Sequence, residues 1–328
     1  MSGNAANPGQ GRTALVVGVN GQDGSYLAER LAHNQWRVVG MGRQGQARAG
    51  LAARLAQYCP LDLTDTAALQ RALHELRPDA IFFAAAVHGA AGFDYESVWL
   101  GAHQVNTLAL HAALEHARTQ AGRGGGKVQV LYFGSAKMFG DLAGRTIDES
   151  TPRVSSCIYS ITKNAGADLV QYYRATHGVD AGVVWLFNHE SERRPPQFFA
   201  MQVVQALAQS LQDKRHAVTL NTLDFWCDWG HAQEYMTLVA DHCDALRGHD
   251  VVLATGHTVW AADVVTELFA LHGLAAADHF RTTAPPREKQ LATQWRADTT
   301  RLVQLAGQRP ALWGVEVFQE ILRAARTG

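Results

Sequence analysis

Five runs of apolar and β-branched residues divide the chain up to Asn188: "TALVVG", "WRVVGMG", "DAIFFAAA", "KVQVLYFGS" and "AGVVWLFN". None alternates polar with apolar along its length, so each reads as a strand buried on both faces. Amphipathic stretches lie between them: "SYLAERLAHN", "AALQRALHEL", "TLALHAALEHA" and "SITKNAGADLVQYYRATHG". Strand and helix alternating at this spacing require βαβ crossovers, hence an α/β fold with a doubly wound parallel sheet. After Asn188 the rhythm loosens. "FFAMQVVQALAQSLQ", "HAQEYMTLVADHCDALRG", "AADVVTELFALHG" and "VEVFQEILRAAR" read as helices, with "HAVTLN" and "DVVLAT" as short strands. The expectation is a flexible tail over residues 1–12, an α/β domain over 13–188 to which some later segments return, and a smaller mixed lobe over 189–328.

At 328 residues, 47% hydrophobic and 18% charged, the chain can bury a sizeable core and reads as soluble and globular. A formal net charge of -1 gives no electrostatic reason to expect nucleic acid or an anionic membrane. No apolar run is long enough to span a bilayer, and "MSGNAANPGQGR" lacks a signal peptide's apolar stretch. Cys59, Cys157, Cys227 and Cys243 have no CxxC spacing and read as free thiols in a reducing cytoplasm. The fifteen histidines show no metal-ligand spacing, and no metal is expected.

"GVNGQDG" sets Gly18, Gly21 and Gly24 at GxxGxxG spacing between the first strand and its helix. Glycines there permit a tight turn and close approach of a pyrophosphate to the helix N-terminus. The second strand ends in Gly42, Arg43 and Gln44, where an NAD site would carry an acid for the ribose hydroxyls. A guanidinium can pair with a 2′-phosphate, so NADP is expected. Asp62 in "LDLTD" could face the adenine amino group or cap a helix.

"YSITK" places Tyr159 and Lys163 one helical turn apart on one face. An ammonium beside a phenol favours the phenolate, which can exchange a proton with a substrate hydroxyl or carbonyl while hydride moves to or from a nicotinamide. Ser135 ends the preceding strand.

Together these residues resemble the extended short-chain dehydrogenase/reductase superfamily. "GQDGSYLAE", "LFNHESERR" and "DWGHAQEY" narrow the resemblance to the GDP-mannose 4,6-dehydratase family, from about Thr13 to Val239. That resemblance implies a Rossmann-type domain with a small substrate lobe, and NADP kept through the catalytic cycle. It implies Ser135, Tyr159 and Lys163 as the hydrogen-bonding and proton-relay set. Gln22, Asp23, Leu63, Ala84, Ala85, Phe187 and His189 would join the three glycines, Arg43 and Asp62 around the cofactor. His88, Asn188, Glu190, Arg193, Arg194 and Asp224 would face a nucleotide-sugar substrate. In the family, hydride leaves sugar carbon 4, water is eliminated across carbons 5 and 6, and hydride returns to carbon 6.

The chain departs from the family at the base. A glutamate is expected two residues after the serine, and Lys137 stands there. Lysine ordinarily titrates near about 10.4, so it abstracts a proton at neutral pH only if burial or a cation such as Lys163 depresses it. As an acid beside a sugar ketone it suits a keto-sugar reductase or epimerase; otherwise it points away or pairs with an acidic neighbour. The family's cationic "TRK" segment becomes Ala200, Met201 and Gln202, and the arginine before "DWG" becomes Cys227; Arg281 or Arg287 could compensate. A homodimer through "TLALHAALEHA" and "ITKNAGADLVQYY" is expected, with a homotetramer the alternative. A catalytically retired cofactor-binding scaffold is a third reading, opposed by the intact Ser135, Tyr159 and Lys163.

Overall fold

The computed structural model describes residues 9–327. Seven strands form one parallel sheet: β1 (Thr13–Val17), β2 (Arg37–Gly42), β3 (Gln57–Pro60), β4 (Ala80–Phe83), β5 (Gln129–Ser135), β6 (Asp180–Leu186) and β7 (Val251–Leu253). Their spatial order is 3-2-1-4-5-6-7. The order reverses between β1 and β4, and open α/β sheets hold their ligands in the crevice at that point.

Successive residues of each strand serve opposite faces. Val16, Phe82, Leu131 and Val184 pack under α1 (Gln22–His33), while Leu15, Ile81, Tyr132 and Val183 pack under α2 (Thr66–Leu76), α3 (Ala109–Thr119) and α4 (Ile158–His177). This double burial explains the unbroken apolar runs. β3, "QYCP", lies at the edge and only partly buried, so the apolar pattern does not reveal it. "DVVLAT", read above with the later lobe, supplies β7, which pairs in parallel with β6 and closes the other edge. The helix after "DWG", α6 (Ala232–Asp241), also returns to this layer and buries Tyr235, Met236 and Val239 in the same cluster as α1. Helix α5 (Phe199–Ser210) precedes it in sequence but belongs to the smaller lobe.

That lobe has its own core, in which α5, α7 (Ala261–Ala270) and α8 (Val315–Thr327) surround Trp229, Phe269 and Phe318. Asp228 ties it to the end of β7 by accepting from the Thr255 N–H and hydroxyl and from the Gly256 N–H. Of the expected tail, residues 1–8 lie outside the described residues. The remainder is docked: Gly9 is buried, and Arg12 stacks 4.1 Å from the Trp36 ring and pairs with Asp244 at 2.9 Å.

Candidate functional site

The turn after β1 is glycine-dependent for measurable reasons. Gly18 has φ +88°, and a Cβ there would meet the Ala85 nitrogen at 2.7 Å; one on Gly24 would meet the Gly18 carbonyl at 2.3 Å. The helix is therefore pressed into the turn. Gly21 gives α1 no side-chain cap, which leaves its first N–H groups open toward the cleft.

The first turn of α1 also latches the segment after β6. Asp23 accepts from His189 Nε2 at 2.8 Å, and His189 Nδ1 faces the Phe187 carbonyl at 2.6 Å. Two acceptors on one imidazole favour its charged form. Although burial opposes both charges, Asp23 keeps His189 above the usual histidine range, and His189 keeps Asp23 well below the usual carboxylate range. Gln22 extends the latch by donating to the His189 carbonyl and accepting from the Ser191 hydroxyl.

Helix α4 begins at Ile158, so Tyr159 and Lys163 fall in its first two turns, facing the end of β5. Lys163 is 2% exposed; its Nζ donates to the Phe133 carbonyl at 2.6 Å and lies 4.5 Å from the Tyr132 ring. Burial brings its pKa down to about 7, against the pull of Asp23. Tyr159 corrects an expectation. Burial pushes its phenol above the ordinary range, and the groups pulling it back are Ser135, through a hydrogen bond, and Arg194. The Lys163 ammonium is itself desolvated and directed at a backbone carbonyl, so the lowered phenol pKa expected from the YxxxK spacing is not found.

His88 lies against Tyr159 with ring centroids 4.8 Å apart, and its Nδ1 is 3.1 Å from the Tyr95 hydroxyl. Burial first, then the charges of Arg194, Lys137 and Lys163, hold it down to about 3, so its imidazole is neutral.

Two cavities meet at this point. The first, about 460 Å³, is lined by Gly18, Gly21, Gln22, Asp23, Gly24, Arg43, Ala84, His88, Ser135, Lys137, Tyr159, Lys163, Phe187, Asn188, His189 and Arg194. Most of the expected site residues are thus brought together. The second, about 770 Å³, opens toward the smaller lobe and is lined by Asp224, Phe225, Trp226, Trp260, Arg287 and Trp295 among others. Lys137 and Asn188 line both.

Other expected residues lie elsewhere. Asp62 turns back to accept from the Thr64 N–H and hydroxyl, and Leu63 packs into the sheet core. Ala85 presses on Gly18. Glu190 is buried against Arg194 at 3.0 Å. Arg193 points away from the cleft, bonded to Ser25 and Glu29 over the Tyr26 ring. Ala200 and Met201 belong to the lobe's core, Cys227 belongs to it while also lining the second cavity, and Arg281 donates to the Ala277 and Phe280 carbonyls. Arg287 alone of the two compensating candidates reaches the cleft.

Sequence reasoning missed Tyr95, whose hydroxyl accepts from the Gly89 N–H while it braces His88. It also missed Asn106, which joins the Val87 N–H to Thr162 between β4 and α4. "FDYE" offered an aromatic signal for the first; nothing local marked the second.

A family model described as GDP-mannose 4,6 dehydratase matches residues 15–302. The chain belongs to the GDP-mannose 4,6-dehydratase family. A GDP-mannose 4,6-dehydratase of Sordaria araneosa is 29% identical over 267 residues, covering 80% of this chain but only 48% of that protein. One from Vibrio cholerae is 29% identical over 260 residues, covering 75% of this chain and 68% of its own length. Among solved structures, a dTDP-glucose 4,6-dehydratase of Streptomyces venezuelae with NAD and TYD bound superposes with TM-score 0.78 at 17% identity, covering 96% of this chain and 97% of that one. The superposition confirms the Rossmann-type fold. Among the described residues no helix is long and apolar enough to cross a membrane, and no cluster of three or more potential metal ligands occurs.

Proposed function

We propose that this protein exchanges hydride between carbon 4 of a nucleotide-activated sugar and NADP, and that it ends its cycle by epimerisation or keto-sugar reduction. The convergence of Ser135, Tyr159 and Lys163 beside the uncapped glycine turn, in one cavity, carries this reading. The cradle fits a dinucleotide because a Cβ at Gly18 or Gly24 would close the turn. Gly18, Gly21 and the N-terminus of α1 would hold the pyrophosphate, and Arg43, following β2 where the chain carries no acid, would take a 2′-phosphate. When bound, the nicotinamide supplies the hydride acceptor and donor.

The chain's own groups handle the proton. Tyr159, protonated at working pH, donates its phenol proton to the sugar oxygen on reduction and takes it back as hydride departs, with Ser135 holding the same oxygen. Lys163, titrating at about 7, is suited to relay a proton at working pH. Dehydration needs a base at carbon 5. Among the described residues, Asp23 is the only carboxylate lining the first cavity, and it is committed to His189. Lys137 stands exposed in the base position and offers donors only; Asp141, Asp224 and Glu288 line the second cavity, and on this reading the elimination step lacks a base at the position where the family's glutamate is expected.

The exposed Trp99, Leu100, Leu108, Ile161 and Tyr172 near and on α3 and α4 support a homodimer through these helices. Four free thiols fit a reducing cytoplasm.

The deciding experiment incubates the NADP-loaded enzyme with GDP-mannose and with its keto-sugar. Formation of a 4-keto-6-deoxy product without net cofactor change would refute the loss of dehydration. Steady NADPH consumption with the keto-sugar, or conversion to the carbon-4 epimer, supports the reading.

A further inference from the structure

Three cations lining the two cavities, Arg43, Lys137 and Arg287, have no ion pair with a carboxylate among the described residues, and Lys137 is the one beside Ser135. Lys163 donates to the Phe133 carbonyl, and Arg194 pairs with Glu190. Arg43 lies at the cofactor end, on the strand β2 side of the first cavity. Lys137 is exposed, lines both cavities, and has no carboxylate partner among the described residues.

Its backbone fixes where its charge acts. The Lys137 N–H donates to Ser135 Oγ at 3.3 Å, so the side chain springs from beside the hydroxyl that would hold the reacting oxygen. The ammonium, on a four-carbon stem, stays close enough to His88 to disfavour that ring's protonation. The free charge therefore serves the sugar end of a substrate. Its diphosphate would lie farther out, where Arg287 lines the second cavity. An unpaired ammonium in a partly enclosed cleft gains most from an anion delivered by the ligand, through a charge-assisted hydrogen bond. A neutral hexose offers none.

We propose that Lys137 reads a carboxylate on the sugar, and that the substrate is a nucleotide-linked hexuronic acid. The inference rests on the hydride-transfer reading above and names its substrate class. The carboxylate on carbon 5 is next to carbon 4, where hydride leaves. Lys137 beside Ser135 spans that one-carbon offset. The carboxylate takes no part in bond making: the carbon 4 hydrogen leaves as hydride, the hydroxyl proton passes to Tyr159, and both return. The same cation that removes the elimination base thus fits a substrate whose carbon 6 has no hydroxyl to eliminate.

The test compares kcat/KM of the NADP-loaded enzyme for paired substrates, UDP-glucuronate against UDP-glucose and GDP-mannuronate against GDP-mannose. The expected result is a preference of about 100-fold or more for one uronate. Lys137→Met collapses that ratio toward one, and Lys137→Arg restores most of it. Equal or better turnover of a neutral hexose by wild type overturns the proposal while hydride transfer stands. Loss of both members of a pair by the same factor in Lys137→Met, with a displaced acid limb in the pH profile, also overturns it and makes Lys137 a general acid. Absence of nicotinamide reduction with all four sugars defeats the hydride-transfer reading itself.

Discussion

The two halves of the cleft are built by different rules. The half at the C-terminal ends of the sheet's inner strands is made of backbone: a left-handed glycine, an uncapped helix start, and a strand end that places Ser135. The half toward the smaller lobe is made of side chains brought from distant segments, including Asp224, Trp260, Arg287 and Trp295. The first kind tolerates little change, because a Cβ in the wrong place collides with main chain. The second can exchange a glutamate for Lys137, or an arginine for Cys227, and keep its fold. The comparison teaches that in this chain the redox half is held by steric necessity and the substrate half by charge.

Several substitutions sharpen or break that contrast. Tyr159→Phe should have the largest effect, lowering kcat by about 10²–10⁴ while cofactor affinity, read by titration of the nicotinamide absorbance, stays within a factor of a few. A fall of less than tenfold would remove the phenol from the proton path. Arg194→Ala leaves Glu190 as a buried, unpaired charge and should cost about 3–5 kcal/mol in urea unfolding. Gly18→Ala forces a side chain into φ +88° against Ala85; it should cost about 1–3 kcal/mol and weaken cofactor binding far more than sugar binding. Equal loss at both halves would erase the distinction drawn here.

Acid supplies a subtler probe. His88 folds neutral, held down to about 3, whereas in the unfolded chain it takes a proton below about pH 6.5. Its contribution to stability is whole above that pH and drains as the pH falls toward 3, by up to about 1.4 kcal/mol per pH unit. His88→Asn should flatten that limb in denaturation midpoints measured from pH 7 to 4. Arg193→Ala should matter least. Its partly exposed pairing with Glu29 contributes about 1 kcal/mol or less, and sugar KM should not move.

Legibility followed the same division. The glycine turn and the Tyr159–Lys163 spacing were readable because their geometry is set within a few residues of one another. The unbroken runs gave five strands because both faces of each are buried. β3 was lost because an edge strand of four partly exposed residues has no apolar signature. β7 was seen as a strand, and later segments were expected to return to the first domain, but which of them did so was not legible, since pairing with β6 depends on a return of about 65 residues that no local pattern encodes. Tyr95 and Asn106 act through contacts 7 to 56 residues away in sequence. The phenol's acidity was misjudged for a related reason: spacing shows that a lysine is near, whereas burial, which outweighs it, belongs to the assembled fold.

The bond from Asp23 to His189 gives the two halves a shared lever. One end sits where a dinucleotide would rest, and the other lies on the segment leading into the smaller lobe. A ligand that tightens either end does work on the other, and thermodynamic reciprocity makes the gain equal in both directions. Cutting this pair should loosen the tie between the occupancy of one compartment and the grip of the other.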